Sequence, residues 1–152
     1  MKESIAQSFI ISLILFFFGI LVLLYFGSIN YSKAYKAKNR IITILEKYGK
    51  YENNSTDAAK IEIEENLQKG GYQTTSDNTL NKCNKFAENG TLIYPLDDSK
   101  RKYDYCIIEY SSGIGKYYRV VTFMRFDVPV IRNILEFAVK GETKVLYDNI
   151  SG

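Results

Sequence analysis

From Ile5 to Ile29 the chain reads IAQSFIISLILFFFGILVLLYFGSI, apolar at nearly every position. A helix of these 25 residues is about 37 Å long at 1.5 Å per residue. A hydrocarbon core is about 30 Å thick, so the segment can span a bilayer with some tilt. Beyond it the pattern changes without a break. Tyr31, Ala34, Tyr35, Ile41, Ile42, Leu45 and Tyr48 follow the i, i+3, i+4, i+7 spacing of one helical face. Lys38 interrupts that stripe, no Pro breaks it, and Gly49 is a stop signal. Together the two patterns predict one rod from Ser4 to Tyr48, about 68 Å long. Its outer half offers an apolar stripe to its own domain or to a neighbour.

The remaining chain reads as α+β. Tyr51 to Ser55 is a linker, and Thr56 to Gln68 suits a short helix that starts near Asp57 and stops at Gly70-Gly71. The IEIEE within it also alternates like a strand. Residues 73–102 are polar and turn-rich, with a short edge strand expected over Leu92–Leu96 beside Pro95. The clearest β signals are Tyr103–Tyr110 (YDYCIIEY) and Tyr117–Phe126 (YYRVVTFMRF), joined by a hairpin at SSGIGK. With Ile108 opposite Val120, one face would carry Cys106, Ile108, Tyr110, Tyr118, Val120 and Met124. Arg119 and Arg125 would lie on the other. Pro129 is expected to open a short helix, VIRNILEF. Lys140–Asp148 is expected as a third strand, with Val139, Thr143, Val145 and Tyr147 on one side.

The predicted architecture is thus a long helix followed by a three- to four-stranded antiparallel sheet with a covering short helix. Residues 1–30 form a transmembrane anchor, 31–50 an amphipathic basic extension and 51–152 an α+β domain.

Charge sharpens the boundary. Of 152 residues, 20 are Lys or Arg and 17 are Asp or Glu, yet the 29 positions between Glu3 and Lys33 carry none. Residues 33–50 hold a net charge of +5 and residues 51–152 a net of −2. The overall +3 therefore reflects a basic collar beside the bilayer, led by Lys33, Lys36, Lys38 and Arg40. Such a collar suits anionic headgroups, and equally a solvated helix face. No nucleic-acid footprint stands out elsewhere. A cleaved signal would have an apolar region of about 7 to 15 residues and a small-x-small site. This run is longer and YFGSINYSKAYK has no such site, so an anchor is expected.

Orientation draws on opposing signals. The positive-inside rule would place the basic collar, and the domain after it, in the cytoplasm. Cys83 and Cys106, an even pair, suit an oxidising compartment. An extracytoplasmic domain is the expectation.

Chemistry is sparse. There is no His, which removes the usual catalytic triads, HExxH zinc sites and imidazole proton shuttles. No cofactor, metal or small-molecule substrate is expected, and no enzymatic activity. Gly113-Ile114-Gly115-Lys116 contains GxGK, but between two strands it reads as a turn rather than a phosphate loop. Cys83 and Cys106 either form a bridge, worth about 3 kcal/mol in the chain-entropy model, or remain as thiols, with Cys106 buried. Glu3, where the chain enters the bilayer, reads as an interfacial charge. Alternatively it pairs with a neighbouring subunit's α-amino group and sets the stagger between helices.

In layout the chain resembles type IV pilin-like proteins, and within them TadE-like pseudopilins of tight-adherence pilus and secretion systems. The residues carrying the resemblance are KESIAQSFIISLILFFFGILVLLYFGS, the Cys83/Cys106 pair and the ending YYRVVTFMRFDVPVIRNILEFAVKGETKVLYD. Family precursors carry a basic leader cut after Gly or Ala, with an acid just inside the mature start. Here only Met1 and Lys2 precede Glu3, so Glu3 is expected to fill the acidic role without processing. The resemblance implies a structural or assembly protein of a bacterial cell-envelope system, acting by lateral helix packing. The expected contacts are Glu3, Tyr31, Tyr35, Ile41, Ile42, Leu45 and Tyr48, and the expected partners are the bilayer and other copies or proteins. The alternative is a single-pass binding or regulatory subunit presenting its α+β domain.

Overall fold

The computed structural model describes residues 2–52, 56–72, 78–97, 102–125 and 136–147. Helix α1 runs unbroken over Lys2–Tyr48. Its 47 residues contain no Pro, and Gly49 closes it with φ +71°. The Gly49 N–H donates to the Leu45 carbonyl at 2.8 Å. That left-handed position is open to Gly without steric cost.

Helix α2 covers Ala58–Lys69, capped by the Asp57 carboxylate accepting from the Ala59 N–H. An N-cap aspartate satisfies one of the helix's orphan donors. Helix α3 covers Thr79–Phe86. Four strands follow: β1 Thr91–Tyr94, β2 Tyr105–Ser112, β3 Gly115–Arg125 and β4 Glu136–Glu142. They form one antiparallel sheet in the order β1-β2-β3-β4. The α+β class and the single long helix match the reading of the sequence.

Three details differ from it. The β2–β3 hairpin closes at Ser112 opposite Gly115, which places Ile107, not Ile108, opposite Val120. A one-residue change of register exchanges the two faces of a strand. Tyr105, Ile107, Tyr118, Val120, Met124 and Val139 therefore face α1, in one core cluster with Ala34, Ala37, Ile41, Ile44 and Leu45. Cys106, Ile108, Tyr110, Val121 and Phe123 pack on the other side with Cys83 and, at the margin, Phe86. Arg119 stands on that second face, its guanidinium over the Tyr110 ring. Both faces are covered, so apolar alternation had no side to mark.

The second difference lies in the last strand. It runs Glu136–Glu142, and past it, among the described residues, only Leu146 makes an isolated bridge, to Lys116. The eleven-residue β3 is paired from its Arg125 end, which draws β4 toward earlier residues than Lys140–Asp148. Third, Glu136 and Phe137, the end of the expected VIRNILEF helix, belong to β4, while residues 129–135 lie outside the described residues. Among the described residues the short helix on the sheet is α3, from the stretch read as turn-rich. Of its eight residues only Thr79 and Cys83 are buried, too few for a readable period.

Candidate functional site

Every residue from Gln7 to Phe26 is exposed. Those twenty residues make about 30 Å of helix, the thickness of a hydrocarbon core. Phe9, Leu15, Phe16, Phe18, Leu21 and Leu24 each expose more than 60% of their surface. This is one helix, near the N-terminus, long and apolar enough to cross a membrane, and none of its apolar window is covered by the rest of the chain. Tyr25 lies at the end of the run, and Tyr31 and Tyr35 follow it, exposed and stacked at 6.2 Å. Aromatic residues with a polar tip favour that interfacial depth.

The outer half of α1 behaves differently. Its buried side chains are Ala34, Ala37, Lys38, Ile41, Ile44 and Leu45. They repeat at three and four residues, but the stripe is turned from the expected one. Ile41 and Leu45 lie fully inside and Ile42 is half-buried. Tyr31, Tyr35 and Tyr48 remain exposed. The small side chains Ala34 and Ala37 explain the turn, because they let a strand approach the helix closely where a Tyr would hold it off. Gly141 of β4 completes the approach: a Cβ there would lie 2.7 Å from Lys38 Cδ and 2.8 Å from Ile42 Cδ1. The outer stripe is thus covered by the chain's own sheet.

The rod's end is tied down by polar contacts. Lys47 Nζ and Tyr48 Oη both donate to Glu62 Oε2 of α2, each at 2.8 Å. Those bonds hold the Glu62 carboxyl below its ordinary range and raise the Lys47 ammonium. Glu46 Oε1 accepts from the Lys144 N–H at 2.9 Å.

The basic collar divides. Lys38 is only 8% exposed, its stem against the sheet and its ammonium 4.3 Å from the Tyr35 ring centre. Long cationic side chains often bury the stem and free the tip. Lys33, Lys36 and Arg40 line a different feature, a cavity of about 530 Å³ between α1 and the C-terminal end of α2. Its walls carry those three cations with Ser28, Ser32 and Gly70 among others, and among the described residues no carboxylate. Arg40 Nη1 donates to the Asn66 carbonyl at 3.2 Å. The collar's sequence pattern pointed to these residues, but only the fold joins them to α2. Glu3 falls in the first turn of α1, and its side chain lies outside the described residues.

Cys83 and Cys106 are joined by a disulfide, S–S 1.98 Å, which fastens α3 to β2. GxGK is the tight β2–β3 turn. Among the described residues no three Cys, Asp or Glu side chains converge into a metal-ligand group. Comparison with family models, with characterised proteins and with solved structures yields no match.

Proposed function

We propose that this chain is a membrane-anchored, non-enzymatic structural or assembly protein of a bacterial cell envelope, pilin-like in build, acting by lateral packing of its N-terminal helix. One observation carries the reading. A 47-residue helix leaves about 30 Å of apolar surface uncovered and docks one face of its outer half on its own sheet. Such a helix projects from a folded domain, and a bilayer or other helices can cover it.

The disulfide supports an extracytoplasmic domain, because reducing compartments keep thiols free. The collar's positive charge argues for the reverse orientation. A disulfide between two buried sulfurs weighs more here, since part of that collar is engaged in packing and in α2 contacts.

A second reading, a single-pass binding or regulatory subunit, draws support from the docked outer stripe. It leaves only the first half of the rod for partners. Crosslinking in membranes, then blue-native electrophoresis after mild detergent extraction, separates the two readings. Ladders of self-association support assembly, and one fixed hetero-complex supports the subunit. A strictly monomeric species after crosslinking removes the assembly reading.

A further inference from the structure

We propose that the cavity between α1 and the end of α2 is a binding site for the phosphate headgroup of an anionic phospholipid. This inference rests on the membrane-anchor reading above. Depth along the helix is the first support. Ser28 and Ser32 stand two and six residues past Phe26, roughly 3 and 9 Å beyond the uncovered apolar run. A headgroup layer of about 5 to 8 Å begins there. Lys33 and Lys36 are rooted slightly farther out, but side chains on a helix tilt toward its N-terminus, which is here the bilayer side. Their flexible stems let the ammonium groups reach back to the phosphate level.

The lining is the second support. Among the described residues it holds Lys33, Lys36 and Arg40 and no acid, beside two serine hydroxyls able to donate. Among the described residues neither Lys33 nor Lys36 forms an ion pair. The carbonyls at the end of α2, which would repel an anion, are occupied: Asn66 by Gly70 N–H and Arg40, Leu67 by Tyr72 N–H, Gln68 by Gly71 N–H. Gly70 keeps the wall open, since a Cβ there would meet Arg40 Nη1 at 2.8 Å. A volume of about 530 Å³ accommodates a glycerophosphate group. The acyl chains would lie along the exposed face of α1 below Ile29.

The test uses the purified full chain in nanodiscs of mixed neutral and anionic phospholipid, with co-released lipids counted by native mass spectrometry. The wild type should retain anionic lipid in preference to neutral. Lys33→Gln with Lys36→Gln should reduce that preference about thirtyfold, from roughly fivefold per basic side chain near an anionic surface. Lys102→Gln with Lys144→Gln removes the same charge elsewhere and should change little. Ser32→Leu keeps every charge but fills the cavity, and should also abolish the preference. If Ser32→Leu retains it while the lysine pair loses it, an undirected collar is at work and the site is overturned. Displacement of the lipid by millimolar inorganic phosphate would equally overturn it in favour of a free anion. Alkaline carbonate extraction of cell membranes carrying the chain tests the anchor itself. Release of the chain removes both readings, whereas a retained chain without lipid preference removes this one alone.

Discussion

Thr122 Oγ1 donates to the carbonyl oxygen of Ala34 at 2.9 Å, joining residues 88 apart in the chain. Both are buried, Ala34 on the rod and Thr122 on β3. A strand hydroxyl reaches a helix carbonyl only where the helix presents almost no side chain, and Ala34 with Ala37 provides that. The outer half of α1 is therefore part of the domain core, and the protruding half is a direct extension of that core.

Two substitutions test this docking. Thr122→Val keeps the shape and removes the bond, costing about 1 kcal/mol. Ala34→Leu overpacks the contact and should cost about 1–3 kcal/mol. Urea unfolding of the detergent-solubilised chain measures both. If Ala34→Leu leaves the midpoint unchanged, the rod does not lie on the sheet in solution.

The disulfide should matter more to α3 than to the sheet. Helix α3 buries only Thr79 and Cys83 and holds Thr79 Oγ1 to Asp104 Oδ1 at 2.9 Å. Cys83→Ala with Cys106→Ala is expected to cost about 3 kcal/mol. Hydrogen exchange should rise over residues 79–86 well before it rises in β3. Uniform loss of protection across β2 and β3 would show that the bridge holds the whole domain.

Two buried tyrosines should respond oppositely to loss of a hydroxyl. Tyr72 Oη donates to the Asp104 carbonyl at 2.7 Å and accepts from the Phe123 N–H at 3.0 Å. Tyr72→Phe leaves both groups short of a partner and should cost about 1–3 kcal/mol. Tyr105 Oη is buried beside Tyr51 Oη, and neither makes a hydrogen bond of ordinary geometry among the described residues. Tyr105→Phe should therefore be neutral or stabilise by up to about 1 kcal/mol. Comparable losses in both variants would show that Tyr105 has a water or a neighbour to bond.

The parts of this fold legible in the sequence are those where one physical demand acts alone. Gln7–Phe26 faces no protein, so its apolarity is unmixed, and the rod follows from the absence of Pro up to Gly49. Asp57 and Gly70 bracket α2 because a cap and a stop are local chemistry. Where two demands overlap, reading becomes ambiguous. Strand β2 is covered on both faces, so YCIIEY could not reveal its register, and the two-residue turn at Gly113-Ile114 decided it. The buried stripe of α1 turned toward Ala37 and Ile44 because close approach favours small residues, which hydrophobicity underrates. The cavity was half visible: Lys33, Lys36 and Arg40 share a helix face, but Asn66 and Gly70 come from 26 or more residues away.

Alkaline pH should unfold the domain through its tyrosine core. Tyr94 and Tyr105 stack at 4.2 Å, and Tyr51 meets Tyr94 edge-on. Burial pushes the Tyr51 and Tyr105 phenols well above their ordinary value of about 10. A folded value above the unfolded one means the folded state keeps its protons longer. The stability they contribute is complete below about pH 10, where both states are protonated. It declines as the pH rises from there toward the folded values, because the unfolded chain gains by ionising first. Each phenol adds at most about 1.4 kcal/mol of loss per pH unit in that window. Urea unfolding between pH 9 and 11.5 should show the steepening, and Tyr51→Phe with Tyr105→Phe should flatten it. The same slope in wild type and double variant would place the alkaline transition elsewhere. Lys47 has the same sign through its bonds to Glu62, so Glu62→Gln serves as the control that separates the surface pair from the core.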